Sequence, residues 1–317
     1  MKNNNHLYTI LGAGGSVGNA LTSTLLANKK TVRLVSRSAF SWSGTESVKG
    51  DLTSLHDTME GVKGSAVVFL CAGLAYDTKV WRGLWPKIMS NTIEACTASN
   101  ARLIFLDNVY SYGKVSGKMT EVTPYAPCSR KGEVRVTIAE QLQGEMKRGN
   151  VQAIIARAAD FYGPYATKTS VPQLLVIDRL RRGQKAYWLV NPDAGHSYSY
   201  TLDCARGLHL LADDAAAFNQ VWHLPTSNPP INGRTFIEIA AKELGVAPRS
   251  MVLKKWMLRL AGVSDRTVRE SYEMLYQSEF DYYFDSTKFN EHFHYVPISY
   301  PEGIAQTIRF KDNMRRV

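Results

Sequence analysis

Apolar and polar positions follow two periods along the first half of the chain. Continuous apolar runs rich in β-branched residues predict buried strands at residues 7–13, 31–37, 66–73, 101–108 and 151–161. Between them, apolar residues recur every three or four positions, which predicts helices at residues 16–29, 81–100 and 136–149. Strands and helices that alternate in this way predict a parallel sheet with helices on both faces.

The pattern changes after about residue 162. Pro, Gly and aromatic residues interrupt it, although a helix is predicted at residues 202–213 and one more strand at 220–225. Two further segments, 254–262 and 268–277, have the spacing of amphipathic helices, and we expect their Trp, Met and Leu stripe to pack in the core. The second half of the chain is therefore predicted to form a smaller lobe packed on the first.

A glycine-rich turn separates the first predicted strand from the first predicted helix. Gly12, Gly15 and Gly18 have GxxGxxG spacing, and Ser16 and Val17 open the helix. Glycine permits a tight turn and lets a pyrophosphate approach the backbone, while the start of a helix favours an anion. This context favours a dinucleotide-binding turn over a glycine-rich turn without a ligand.

The end of the second predicted strand distinguishes between cofactors. A dinucleotide fold usually carries an acid there, which bonds the adenosine ribose. This chain has Arg37 between Ser36 and Ser38, and a guanidinium with two hydroxyls suits a 2′-phosphate. NADP(H) is therefore favoured over NAD(H), with a solvated loop arginine as the alternative. Further along, Asp51 in GDLTS can cap a helix or accept a bond from the adenine amino group.

Composition and charge narrow the class of protein. The 317 residues are 44% hydrophobic and 21% charged, with no apolar run near the roughly 18 residues of a membrane span. The N-terminus lacks the features of a signal peptide and the four cysteines form no CxxC pair, so we expect a cytoplasmic protein with free thiols and no metal site. The net charge of +10 comes from dispersed cations, which favours an anionic small-molecule ligand, such as a nucleotide or a nucleotide-linked substrate, over nucleic acid.

Several motifs in order give the chain a family resemblance. The chain resembles the extended short-chain dehydrogenase/reductase family, the NAD(P)-dependent sugar epimerases and dehydratases, in the motifs GAGGSVG, GDLTS, VVFLCAG, LDNVYSYG, ARAADFYGP, YSYTLDCARGL and FDSTKFNEHFHYVPISYPEGI. The resemblance implies an α/β fold, a Rossmann doubly wound parallel sheet with a smaller C-terminal substrate lobe. It implies an NADP-binding domain at residues 1–165, to which segments near 201–225 return, and a substrate lobe mainly at 166–317.

The resemblance also assigns residues to the cofactor. It places seven of them along the dinucleotide: Asp51 and Leu52 at the adenine, Cys71, Ala72 and Gly73 under the adenosine ribose, and Asp160 and Phe161 near the nicotinamide. His196, in the second half, is expected at the surface or in the core rather than in catalysis.

The catalytic positions of the family are all altered. The family uses Ser or Thr, Tyr and Lys, with the tyrosinate as acid/base on a substrate hydroxyl, and the matching positions here are Asn108, Lys131 and Arg135. Lys131 can serve as the acid/base if burial or neighbouring Arg135 favours its neutral form. Arg135 can hold a ribose hydroxyl, Asn108 can orient the substrate and Tyr110 can supply a phenol. A solvated helix start at residues 131–135 is the alternative.

Two functions remain open from the sequence. The first is an NADP(H)-binding epimerase/dehydratase-like oxidoreductase that acts on a nucleotide sugar or another small carbonyl or hydroxyl substrate through a non-standard acid/base site. The alternative is a non-catalytic NADP(H)-binding module that regulates or binds a protein. A homodimer is expected only by analogy with the family.

Overall fold

The computed structural model describes residues 6–38 and 40–315, and its regular elements within that part of the chain are as follows. The strands are β1 (Leu7–Leu11), β2 (Thr31–Ser36), β3 (Glu46–Lys49), β4 (Ser65–Leu70), β5 (Arg102–Asp107), β6 (Lys118–Met119), β7 (Ala153–Arg157), β8 (Asp160–Tyr162), β9 (Ala186–Leu189), β10 (Gly195–His196), β11 (Tyr198–Tyr200), β12 (Gln220–His223), β13 (Ile231–Asn232), β14 (Ser250–Leu253) and β15 (Tyr283–Phe284). The α-helices are α1 (Ser16–Ala27), α2 (Leu55–Val62), α3 (Thr78–Ala98), α4 (Arg130–Lys147), α5 (Asp178–Arg181), α6 (Thr201–Asp213), α7 (Gly233–Leu244), α8 (Lys255–Ser264), α9 (Arg266–Ser271), α10 (Thr287–His292) and α11 (Tyr300–Arg315). Short 3₁₀ segments cover Tyr110–Tyr112, Ala215–Ala217 and Tyr272–Ser278, and a π-helical turn covers Gln173–Ile177.

Seven parallel strands form the central sheet, in the order β12-β7-β5-β4-β1-β2-β3. This arrangement confirms the predicted Rossmann doubly wound fold. Because all seven strands run in the same direction, their carboxyl ends share one edge, which is where ligands bind in open α/β sheets. The edge strand β12 comes from the second half of the chain and pairs with β7.

The core lies in two layers, one on each face of the sheet. Ile10, Val67 and Ile104 face one layer, and Leu11 and Val68, at alternate positions, face the other. Both faces are covered by helices, so both sets of alternate side chains are buried. This explains why the strands read as continuous apolar runs in the sequence.

The second half of the chain has a core of its own. Aromatic residues dominate it, among them Tyr162, Trp188 and Phe236, and α11 contributes Ile304. No helix in the described part of the chain is both long and apolar enough to cross a membrane.

The structure corrects two predictions about helices. The helix α4 begins at Arg130, six residues before its predicted start at residue 136, because the Ser129 hydroxyl caps it by accepting a bond from the Gly132 N–H at 3.0 Å. The predicted core packing of the stripe at 254–262 was wrong for α8, where Trp256 is 60% exposed and Leu260 is 64% exposed. Gly262 is the one buried residue of α8. The helix therefore makes its closest packing at this glycine and not at its large apolar side chains.

Candidate functional site

The glycine turn lies between β1 and α1 at the carboxyl edge of the sheet. Gly12 has a φ of +85°, and a Cβ there would lie 2.3 Å from the Cα of Ala72, so only glycine fits. Gly15 precedes α1 without a side-chain cap, and the first turn of the helix has no acidic residue. The N–H groups at Ser16 and Val17 are therefore available to an anion.

The end of β2 lies beside the glycine turn. The N–H of Gly12 donates to the carbonyl of Val35 at 3.0 Å, which fixes the turn against this strand. Ser36 is nearly buried, and Arg37 directly after it is exposed. A guanidinium in this position can reach a 2′-phosphate on a ribose at the strand end.

Asp51 has a local structural role in the loop after β3. Its Oδ1 accepts bonds from the N–H and the hydroxyl of Thr53, both at 2.9 Å. The Thr53 N–H first, and then the Thr53 hydroxyl, hold the pKa of Asp51 below its usual value, with a smaller contribution from Arg37. Ser54, rather than Asp51, caps α2. Asp51 is nevertheless exposed beside Arg37, so that an adenine contact stays a prediction.

The segment after β4 closes the other side of the glycine turn. The Cys71 N–H donates to the carbonyl of Leu11 at 2.9 Å, and burial raises the pKa of the Cys71 thiol to about 12. Ala72 contacts Gly12, Gly73 is exposed, and a Cβ on Gly18 would make only ordinary contacts at 3.7 Å or more. The predicted residues around the turn thus lie close together. The uncapped start of α1, next to the close approach of Gly12 to Ala72, fits a dinucleotide pyrophosphate.

Lys131 is fully buried in the first turn of α4. Its ammonium donates to Thr78 Oγ1 at 3.1 Å, to the Glu270 carbonyl at 2.8 Å, to Glu270 Oε2 at 2.9 Å and to Glu273 Oε1 at 3.0 Å. It also lies 4.6 Å from the centroid of the Tyr76 ring. An ammonium has three N–H donors, so these acceptors engage all of them. The solvated helix start is therefore excluded for Lys131, and its contacts do not favour a role as a base.

The two glutamates that bind Lys131 also bind the starts of two helices. Glu270 Oε2 accepts a bond from the Thr78 N–H of α3 at 2.9 Å, and Glu273 Oε2 accepts one from the Arg130 N–H of α4 at 2.9 Å. Carboxylates at helix N-termini are stabilised by the unpaired N–H groups and the helix dipole. Residues 266–278, which we call the clamp, are thereby held against the N-terminal ends of α3 and α4.

Arg135 belongs to a buried ion cluster behind the end of β5. Its Nε donates to Asp107 Oδ1 at 2.7 Å, and Arg157 Nε donates to Asp107 Oδ2 at 3.1 Å. Arg157 also donates to the Tyr125 hydroxyl at 2.7 Å, and the Arg135 guanidinium lies 4.6 Å from the centroid of a Trp85 ring. Arg135 is 3% exposed, so a contact with the cofactor ribose would require it to leave Asp107.

Asn108 and Tyr110 lie half-buried after the end of β5. Asn108 Oδ1 accepts a bond from the Tyr110 N–H at 3.0 Å, which leaves the amide nitrogen without a partner among the described residues. The Tyr110 hydroxyl lies 3.5 Å from that of Tyr76. Burial first, and then the charge of Asp160, raise the pKa of Tyr110, so its phenol stays protonated. Both side chains can donate a hydrogen bond to a substrate oxygen.

Asp160 and His196 are in hydrogen-bond contact next to this group. His196 Nε2 lies 3.1 Å from Asp160 Oδ2, and His196 Nδ1 lies 3.2 Å from the Gln277 carbonyl of the clamp. The histidine is 5% exposed, whereas the Asp160 side chain is 34% exposed. Phe161, next to Asp160, packs against the sheet core. His196 is therefore buried, as one of the two expected placements has it. Its ring nevertheless bonds Asp160, a carboxylate of the site.

A pocket of substrate size lies near His196. It measures about 590 Å³ and is lined by residues 114–117, 191, 193–194 and 279–281. A void of about 10 Å³ shares Asn191, Ala194 and Phe280 with this pocket and reaches His196 and Tyr198. Pockets that hold small ligands have volumes of about 300–1,000 Å³.

The family is shown by sequence comparison. The model of the NAD dependent epimerase/dehydratase family matches residues 8–223, which is more than half of the chain. The chain belongs to this family. A search of curated proteins gave no sequence match.

Solved structures of epimerase/dehydratase enzymes share the fold over nearly the whole chain. UDP-glucuronic acid 4-epimerase from Bacillus cereus in complex with NAD is 16% identical, with a TM-score of 0.78 and coverage of 97% of this chain and 99% of that one. A double mutant of DesIV, the dTDP-glucose 4,6-dehydratase of Streptomyces venezuelae, with NAD bound, is 16% identical with a TM-score of 0.78 and 98% coverage of both chains. MoeE5 in complex with UDP-glucuronic acid and NAD is 19% identical with a TM-score of 0.77, and the match covers 97% of this chain and 99% of that chain. At these identities the likeness shows the fold alone.

Sequence reasoning about this epimerase/dehydratase family member missed four residues of the site. They are Asp107, His196 as a partner of Asp160, Glu270 and Glu273. Two of them left a signal, because Glu270 and Glu273 are three residues apart and such residues share one face of a helix. That face was available to a buried cation, but nothing local in the sequence identifies Lys131 as that cation.

Proposed function

We propose that the chain is an NADP(H)-binding oxidoreductase of epimerase/dehydratase type that acts on a nucleotide sugar or another small carbonyl or hydroxyl substrate. The observation that carries this proposal is the uncapped start of α1 behind Gly12 and Gly15, with Arg37 exposed at the end of β2. Residues 1–165 would hold the dinucleotide, segments near 201–225 would complete that domain, and the lobe at 166–317 would hold most of the substrate. When bound, the nicotinamide ring supplies the redox chemistry of the reaction.

Arg37 supports NADP(H) over NAD(H). The solved relatives named above are complexes with NAD, so the preference rests on this chain's own residues. A charge-assisted bond to a 2′-phosphate contributes about 1.5–3 kcal/mol, which is at least tenfold in affinity. The exposed Asp51 lies close enough to Arg37 for the two charges to interact.

The substrate side is supported by donors rather than by a tyrosinate. The Tyr110 phenol and the Asn108 amide both lie at the carboxyl edge of β5, where they can bond a carbonyl or alkoxide oxygen. The raised pKa of Tyr110 suits it to donate and not to act as a base. Lys131 would then contribute indirectly, because it holds the clamp over this edge. All four cysteines are free, which supports a reducing, cytoplasmic setting.

The proposal is tested by calorimetry with NADPH and NADH. We expect tighter binding of NADPH to the wild-type protein, and a loss of at least about tenfold in NADPH affinity in Arg37→Asp with little change for NADH. The matched control is Lys63→Asp, the same charge change at an exposed residue before β4, at the opposite edge of the sheet. Equal affinities of wild-type protein and Arg37→Asp for NADPH would refute the 2′-phosphate role.

A non-catalytic NADP(H)-binding module is the second candidate. It is favoured by the ion pairs that engage Lys131 and Arg135 at two of the family's catalytic positions. The two candidates differ in turnover. Steady conversion of UDP-glucose, UDP-glucuronic acid or dTDP-glucose, or of another small carbonyl compound, excludes the module.

Possible self-association concerns α3 and α4. Their outward faces are polar, with Arg82 and Glu133 paired at 3.0 Å. A homodimer across these helices, which we propose only by analogy with the family, would therefore bury mostly charged residues. Sedimentation over a range of concentrations and salt would detect it.

A further inference from the structure

The site needs a group that can accept a proton, and most of its side chains cannot do so. The Lys131 ammonium has all its donors engaged by oxygens. Arg135 is bound to Asp107, and a guanidinium is not a base in proteins. The phenols of Tyr76 and Tyr110 have raised pKa values, mainly because they are buried, so they remain donors. A proton acceptor must be sought elsewhere on the same edge.

Asp160 has the position and the exposure that such a group requires. It follows the carboxyl end of β7, separated only by two alanines, and its side chain is 34% exposed. The other carboxylates nearby, Glu270 and Glu273, are 21% and 23% exposed and both bind Lys131. Asp160 is therefore the carboxylate of this group that is open to a ligand and bound to no lysine or arginine among the described residues.

His196 holds the carboxylate of Asp160 in place through Oδ2. Its ring lies between those of Tyr198 and Tyr282, with centroids at 4.4 and 4.7 Å. Nδ1 faces the Gln277 carbonyl, which can only accept, so Nδ1 carries a proton. One further proton then lies between Nε2 and Asp160 Oδ2, whichever atom it is bonded to. The pair can thus take up a further proton on the other carboxylate oxygen of Asp160 without breaking its own contact.

We propose that Asp160 exchanges the substrate proton in this site and that His196 is its positioning residue. The inference rests on the proposed function. In the oxidative direction the O–H bond of a substrate hydroxyl breaks, its proton moves to a carboxylate oxygen of Asp160, and the O–H electron pair forms the carbonyl double bond. An oxidised nicotinamide dinucleotide, when bound, would supply the acceptor for the carbinol hydrogen and its electron pair. In the reverse direction Asp160 returns the proton while Tyr110 donates a hydrogen bond to the same oxygen.

Several phenols surround the pair formed by Asp160 and His196. Every packed element contributes a phenol whose pKa is raised by burial first and by the charge of Asp160 among the lesser causes: Tyr76 from the segment after β4, Tyr110 after β5, Tyr198 from β11, Tyr276 from the clamp and Tyr282 before β15. The charged side chains on the neighbouring elements are already paired, because Lys131 binds both Glu270 and Glu273, and Arg135 binds Asp107. The phenols keep their protons, which leaves the carboxylate and the imidazole as the groups that can exchange one.

The test measures protons released when the full-length protein binds its cofactor. Calorimetry of NADP⁺ and of NADPH at pH 7, in buffers of different ionisation enthalpy, gives both the affinity and the number of protons exchanged. A positively charged nicotinamide beside Asp160 would disfavour protonation of the pair, and the neutral ring of NADPH would not. We therefore expect NADP⁺ to release more protons on binding than NADPH does. Both forms carry the 2′-phosphate, so its own proton cancels in the difference.

Variants assign the released proton to the pair. Asp160→Asn and His196→Gln should each abolish the difference, and Glu133→Gln, an exposed carboxylate on α4, should keep it. Circular dichroism confirms that each variant is folded. Equal proton release with NADP⁺ and NADPH in the wild-type protein, or an unchanged difference in both folded variants, overturns the inference. Absence of cofactor binding overturns the proposed function instead.

Discussion

Replacement of Lys131 by methionine tests the buried ion pairs on which the clamp depends. Methionine keeps most of the length and the apolar stem of lysine but removes the ammonium. The carboxylates of Glu270 and Glu273 would then lose the cation at 2.9 and 3.0 Å and remain partly buried without a counter-charge. Breaking a buried pair in this way costs more than the pair contributes, because the remaining charge is left uncompensated.

The magnitude follows from the pKa of Glu270. Burial raises this pKa, but the bonds from Lys131 and Thr78 outweigh burial and lower it from 4.5 to about 2. A pKa lowered from 4.5 to about 2 corresponds to about 3 kcal/mol of stability at neutral pH. Glu270 is 21% exposed, so solvent reduces this value, while the loss of the contact with Glu273 adds to it. We expect Lys131→Met to lower the free energy of unfolding by about 2–4 kcal/mol at pH 7.

Urea unfolding at several pH values measures this loss. The stability that Glu270 contributes is fully present above pH 4.5 and is lost as the pH falls through about 2, so the difference between the two proteins should shrink in acid. Lys147→Met, an exposed change at the end of the same helix, should cost less than about 0.5 kcal/mol. The triple variant Lys131→Met, Glu270→Gln, Glu273→Gln should recover part of the loss. A cost below about 0.5 kcal/mol for Lys131→Met would refute the reasoning.

Three further predictions concern the fold. Gly12→Ala should destabilise the protein by about 3 kcal/mol in urea unfolding, because its Cβ would lie 2.3 Å from a backbone atom at a φ of +85°, whereas Gly83→Ala, with no atom within 4 Å, should not. Burial lowers the pKa of His223 to about 3, so the unfolded chain binds more protons than the folded one between pH 6.5 and 3. The free energy of unfolding should therefore decrease as the pH falls from 6.5 to 3. This dependence on pH should be weaker in His223→Gln but not in His56→Gln, a change at an exposed histidine. Trp256→Ser should leave stability within about 0.5 kcal/mol, since the ring is 60% exposed, and a larger loss would show that it packs.

The sheet and the glycine turn could be predicted because their signals are local. The strands β1, β2, β4, β5 and β7 each carry an apolar run, and the turn carries its glycines within seven residues of one another. The exposed edge strand β3 carries no such run and was not predicted. The amphipathic spacing of α8 predicted a helix correctly but not its burial. Spacing shows that apolar residues share a face, and only tertiary packing decides whether that face is covered.

The candidate site could be predicted in its positions but not in its pairings. The family resemblance identified Lys131 and Arg135 at the altered positions, yet the partners of Lys131 lie 139 and 142 residues away in the chain. Asp107, which binds Arg135, directly precedes Asn108. The family motif assigns a role to Asn108 and none to Asp107, so the sequence did not indicate it. The bond between Asp160 and His196 joins residues that are 36 positions apart in the chain, and no local pattern encodes it.

Turnover of bound cofactor is the most direct measurement of the central claim, that this family member is an NADP(H)-dependent oxidoreductase with an altered acid/base site. The protein loaded with stoichiometric NADP⁺ is mixed with UDP-glucose, UDP-glucuronic acid, dTDP-glucose and a set of small alcohols, and the absorbance of reduced nicotinamide is followed. We expect reduction of the bound cofactor by at least one of them, with a rate that falls in Asp160→Asn. Tight NADP⁺ binding without reduction by any substrate would contradict the enzyme and leave the NADP(H)-binding module.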